Sequence, residues 1–100
     1  MKEQLTRDKV LELLHKHVGE VKERFNVRSL GLFGSYAHNK PLKKSDIDIL
    51  VEFEQPSFDN YMDLKFFLEK LFQKKVDLVM VDTLKPRLKP LIMQEVLRIA

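Results

Sequence analysis

The chain contains no cysteine, which excludes a disulfide framework and a thiolate metal site together. It contains no apolar run near the roughly 20 residues that cross a bilayer. Its first residues, MKEQLTRDK, are polar with no apolar stretch behind them, so a secretory signal is not expected. A soluble cytoplasmic protein is the expectation. Charge of one sign is also scarce: 18 Lys+Arg against 15 Asp+Glu leave +3, too little to mark a nucleic-acid binder by charge alone. Repeats, low-complexity tracts and linkers are missing as well. With 100 residues the expectation is a single domain, 1–100, small enough to gain stability from a partner. A hydrophobic content of 44% argues against disorder.

What is present is a clear alternation of patterns. Over residues 6–25, Val10, Leu13, Leu14, Val18, Val21 and Phe25 recur at helical spacing, with Thr6 placed to cap the first turn. His15 and His17 fall on this helix two residues apart, so they point to different sides and form no ligand pair. Residues 28–33 (RSLGLF) read as a short buried strand stopping at Gly34. A short helical turn over Ser35–His38 follows, ended by Pro41. Asp46–Glu54 reads as a strand with Ile47, Ile49, Val51 and Phe53 on one face, Asp46 and Asp48 on the other. Gln55-Pro56-Ser57 is a turn, and Asp59 caps a helix to about Phe72 whose inner face carries Tyr61, Leu64, Leu68, Leu71 and Phe72. Phe66 and Phe67 cannot both face one core; one of them is free to serve as a contact surface. Val76–Val81 is nearly all apolar, which predicts a central strand. Pro86 and Pro90 bracket the start of a last helix with Leu91, Ile92, Val96 and Ile99 at helical spacing. The order is αβ(α)βαβα, an α/β (α+β) fold with helices packed on one sheet.

Gly31 to Phe53 holds the chemistry. Gly34 after an apolar strand allows a tight turn and leaves no side chain between backbone amides and a ligand. With Ser35 it makes a turn suited to an anion such as phosphate. Asp46 and Asp48, at i and i+2 on a strand, point the same way and offer hard oxygen ligands to magnesium. Each pattern is common when it stands alone. Asp77 decides between the readings: an aspartate inside an apolar strand is costly unless paired or coordinated. A metal shared with Asp46 and Asp48, or a role as general base, supplies the reason. Two basic clusters, Lys40/Lys43/Lys44 and Lys85/Arg87/Lys89, flank this region and suit an anionic ligand.

LFGSYA, SDIDILVEF and KKVDLV, in that order, resemble the minimal nucleotidyltransferases of the DNA polymerase β superfamily. The Gly-Ser pair followed by ten residues and then Asp-x-Asp is that superfamily's signature, and the likeness spans nearly the whole chain. It is closest to the MNT proteins that partner HEPN toxins in two-component modules. The resemblance implies a polymerase β-like fold with a small mixed sheet, and transfer of AMP from ATP to a hydroxyl with loss of pyrophosphate. In this type the acceptor is a tyrosine of the HEPN toxin, which the modification silences. It also implies roles: Gly34 and Ser35 hold the triphosphate, Asp46 and Asp48 hold magnesium in a two-ion site, and Asp77 is the third carboxylate. One departure stands out. Where the family often has x-Ala-Arg-Gly after Gly-Ser, this chain has Tyr36-Ala37-His38-Asn39, with His38 a weaker donor.

Three functions are compatible with these residues. The first is an Mg-dependent protein adenylyltransferase acting on a HEPN-type partner as antitoxin, since 100 residues leave no room for an acceptor-binding domain. The second is a nucleotide-binding module that neutralises its partner by occlusion, which the His38-Asn39 departure favours. The third, transfer to nucleic-acid ends or a small molecule, lacks an acceptor domain or basic stripe. Direct binding of nucleic acid or membrane is not expected. The apolar helix faces permit a homo- or hetero-oligomer.

Overall fold

A computed structural model describes residues 5–38 and 46–100. Helix α1 (Arg7–Phe25) starts where expected: the Thr6 side chain accepts from the Lys9 amide at 3.2 Å, filling one of the free donors of the first turn. It ends at Asn26, whose left-handed backbone (φ 56°) lets its amide reach the Lys22 carbonyl. Strand β1 (Val27–Phe33) follows at once, then the short helix α2 (Gly34–Ala37). Strand β2 (Ile47–Phe53) leads through a turn to α3 (Phe58–Phe72). The cap of α3 is Ser57, not Asp59: the serine hydroxyl accepts from the Asn60 amide at 3.0 Å, and Asp59 lies inside the first turn. Strand β3 (Val76–Met80), a 3-10 turn (Val81–Thr83), helix α4 (Lys89–Glu95) and a two-residue strand β4 (Leu97–Arg98) complete the chain.

The sheet order is β3-β2-β1-β4. β1 runs antiparallel to both β2 and β4, and β2 and β3 run parallel with α3 as their crossover. Period-two alternation then separates the two faces. Leu30, Leu32, Ile47, Ile49, Val51, Val76 and Leu78 turn to one side and meet Val10, Leu14, Val21, Leu64 and Leu68 of α1 and α3 in a single core. Asp48, Leu50 and Asp77 turn to the other side, which α4 only borders. There Lys89 and Met93 share a hollow of about 280 Å³ with Ser29, Gly31, Leu50 and Glu52 of the sheet. Tyr61 ties α3 to β3 through a 2.7 Å hydrogen bond from its hydroxyl to the Leu78 carbonyl.

Two further expectations are corrected. β3 lies at the sheet edge and is not central. Its apolar residues pack on α3 from one face, and that is enough to make the segment apolar without a second neighbour. The last helix stops at Glu95, and Val96 and Ile99, assigned to it by spacing, lie outside it. The chain turns extended at Val96 (ψ 135°) because β1 offers a free edge: Leu97 pairs with Leu32 and Arg98 with Gly31. Val96 fits there because residue 31 is glycine; a Cβ at that position would lie 2.6 Å from the Val96 Cγ2. The phenylalanine pair divides as anticipated. Phe67 packs partly into the core, its ring 5.5 Å from that of Phe25, while Phe66 stays 58% exposed. His15 is exposed, and His17 meets the Phe67 ring edge-on. Pro41 and the Lys40/Lys43/Lys44 cluster lie outside the described residues, whereas Lys85, Arg87 and Lys89 are exposed.

Candidate active site

The site assembles at one end of the sheet face that α1 and α3 leave uncovered. Gly34 and Ser35 follow the end of β1, and Asp48 stands at the start of β2 with Asp46 just before it, so the antiparallel pairing brings them to the same end. Phe33 and Asp48 are register partners. β3, parallel to β2, places Asp77 beside Asp48 in register. Adjacent strands lie about 4.8 Å apart, so the two carboxylates leave neighbouring backbones on the same face. The turn itself is anchored from below: Tyr36 and Ala37 of α2 are buried in the core.

Gly34 has φ +74°, a conformation that favours glycine. A side chain there would also meet Asp48, whose Cγ lies 2.8 Å from the position of a Cβ. The Gly34 backbone and the Asp48 carboxylate are therefore packed against each other. Burial, followed by the charges of Asp77, Asp46 and Glu95, pushes the Asp48 pKa up to about 6. Asp48 thus sits where a positive charge is wanted.

The burial expected of Asp77 is corrected, while its register beside Asp48 stands. Asp77 is exposed, so no burial penalty has to be explained. Its strand is at the edge, and its side chain alternates to the uncovered face. Among the described residues no three carboxylate or imidazole side chains close on one point tightly enough to hold a metal ion alone. The oxygen-only donor set of Asp46, Asp48 and Asp77 nevertheless fits magnesium, which is usually held by one or two carboxylates with substrate phosphates and water filling the other positions. The mutual repulsion felt by Asp48 is the electrostatic complement of such an ion.

One residue near the site was not legible. Glu95, the last residue of α4, places its Oε2 2.8 Å from His38 Nε2 and contributes to the field on Asp48. The pair is separated by 57 positions and no local pattern marks it. A hollow of about 670 Å³ between α1 and α3, lined by Phe25, Phe66 and Phe67 among others, lies on the opposite side of the sheet and offers no comparable carboxylate set.

Comparison with known proteins bears on this geometry. Residues 14–99 match the family model of the nucleotidyltransferase domain. The protein adenylyltransferase MntA of Thermococcus cleftensis is 41% identical over 93 residues, covering 92% of this chain and 94% of that protein. A Methanocaldococcus jannaschii protein that carries the name of a protein adenylyltransferase is 44% identical over 77 residues, 74% of this chain and 77% of its own. A solved structure described as a minimal nucleotidyltransferase superposes with a TM-score of 0.82 at 28% identity, over 96% of this chain and 98% of that one. A chain in the complex of tri-AMPylated Shewanella oneidensis HEPN toxin with MNT antitoxin superposes at TM-score 0.64, over 90% of this chain and 71% of that one. At 19% identity that likeness is one of fold alone.

Proposed function

The chain belongs to the nucleotidyltransferase domain family, and we propose that it transfers AMP from ATP to a hydroxyl, a tyrosine, of a HEPN-type partner and so acts as its antitoxin. The observation that carries this reading is the in-register placement of Asp77 beside Asp48, next to the Gly34–Ser35 turn. The names of the relatives point the same way: the Thermococcus protein is a protein adenylyltransferase, and a chain of similar fold occurs in a complex with an AMPylated HEPN toxin.

In this mechanism the backbone amides of the Gly34–Ser35 turn and the Ser35 hydroxyl bind the triphosphate. Asp46 and Asp48 would hold magnesium, which when bound neutralises the triphosphate and the leaving pyrophosphate. Asp77, exposed on the edge strand, is open to an acceptor brought by another molecule. It accepts the hydroxyl proton as the acceptor oxygen attacks the α-phosphorus. The new bond is oxygen to α-phosphorus, the bond to the bridging oxygen breaks, and pyrophosphate leaves with its electron pair.

A second reading, neutralisation of the partner by binding alone, is favoured by one observation: His38 is already engaged by Glu95, which a phosphate would have to displace. Incubation of the partner with ATP labelled at the α- or the γ-phosphate separates the readings. Label on the partner from α-labelled ATP only is expected. Label from neither, with a stable complex, would leave binding as the function.

A further inference from the structure

We propose that Glu95 is a specificity-determining residue of this site: its carboxylate takes the place of a phosphate oxygen on His38, and an incoming triphosphate has to displace it. The inference rests on the nucleotide-binding part of the reading above and adds a residue to it.

Glu95 is brought to the site by the sheet. β4 runs antiparallel to β1 with Leu97 opposite Leu32 and Arg98 opposite Gly31, so the residues just before β4 approach the end of β1, where Gly34 begins the turn. The segment is fastened from several sides. Val96 packs into the space left by Gly31, and the Ile99 and Ala100 amides both donate to the Leu30 carbonyl at 2.8 and 3.3 Å. Glu95 is therefore held beside the Gly34–Ser35 turn, its side chain about one-third exposed.

His38 closes α2, its amide donating to the Gly34 carbonyl at 3.2 Å. The four residues of α2 advance only about 6 Å, so the imidazole stands within reach of what the turn holds. An ionised carboxylate has no proton to give. The 2.8 Å contact therefore means that His38 Nε2 donates to Glu95 Oε2. The same N–H is the group a phosphate oxygen would take. Glu95 is thus an internal anion on the donor, and it adds a negative charge to a site already holding Asp46, Asp48 and Asp77. The site resists bare polyanions and yields to a triphosphate whose charge is offset by a cation.

Calorimetric titration of ATP, with magnesium and with chelator, into wild type, Glu95→Gln and Glu95→Gln/His38→Ala tests this, with inorganic tripolyphosphate as a probe lacking adenosine. Glu95→Gln is expected to tighten metal-free ATP and tripolyphosphate by about fivefold, the size of one exposed ion pair. The gain should be smaller with magnesium, and smaller when His38 is also removed. Unchanged or weaker binding by Glu95→Gln, the outcome for a residue that merely braces the turn, overturns the proposal. Should Glu95→Gln fail to fold, the His38 ring resonance of wild type decides. Saturating tripolyphosphate is expected to shift it and not that of His15; no shift overturns the proposal. Tight Mg·ATP binding with no effect of Glu95→Gln defeats this inference alone, whereas no ATP binding by any form defeats the nucleotidyltransferase reading with it.

Discussion

The carboxylate of Asp48 fills the space that a side chain on Gly34 would need. In the proposed mechanism one residue belongs to the turn that binds the triphosphate and the other holds magnesium, so the packing of the two would set the spacing between both halves of the site. Gly34→Ala is expected to destabilise the protein by about 1–3 kcal/mol, from the positive φ that alanine resists. It should also abolish transfer, because Asp48 must move aside. Urea unfolding and a label-transfer assay on the same preparation check both halves.

Asp48 also makes the protein sensitive to pH. Its pKa in the fold is about 6, above the usual 3.8, so the folded state holds this proton more tightly than the unfolded chain does. The stability tied to that proton is full below about pH 3.8 and is lost as pH rises through about 6. Without metal, Asp48→Asn should therefore melt higher than wild type above pH 6, with the advantage fading toward pH 4. In the proposed mechanism magnesium would compete with the same proton, so its affinity for wild type should fall as pH drops below about 6. Melting curves at several pH values in chelator, and magnesium titrations across the same range, read the two effects separately.

The Thr6 cap, the α1 stripe, the alternation on β2 and the Gly-Ser and Asp-x-Asp spacing were all legible because each is written within a few residues. Apart from the α3 cap, which is Ser57 and not Asp59, what failed was non-local. The two residues of β4 exist as a strand only because β1 presents an edge and Gly31 leaves room for Val96. Val96 and Ile99 continue the helical spacing just as well. Asp77 does lie in register beside Asp48 but is not buried: an apolar segment reads alike at the centre and at the edge of a sheet, and only the pairing pattern shows that its aspartate is exposed. Glu95 gave no signal at all, since its partner lies 57 positions away.

β4 is predicted to matter to the site although it carries none of its carboxylates. Gly31→Ala would bring a Cβ to 2.6 Å from Val96 Cγ2 and 3.2 Å from the Leu97 carbonyl oxygen. Overpacking of this kind costs about 1–3 kcal/mol, and relief requires β4 to shift away from β1. The expected result is lower stability together with loss of the His38–Glu95 contact, visible as a change in the His38 ring resonance. A lowered Tm with that resonance unmoved would show that the two are not linked.

Tyr61→Phe separates support from chemistry. It removes the 2.7 Å bond to the Leu78 carbonyl, on the strand that carries Asp77, at an expected cost of about 1 kcal/mol. Denaturant midpoints should fall while transfer persists below the unfolding transition.

The most direct test is the intact mass of the proposed HEPN-type partner after incubation with this protein, ATP and magnesium, beside the same reaction with Asp46→Asn/Asp48→Asn. AMP adds about 329 Da per site as a covalent modification. Mass gained in such steps with wild type, and absent with the double variant, is the predicted result. An unmodified partner in both reactions, still bound and still neutralised, would contradict adenylyl transfer and leave a protein that works by binding.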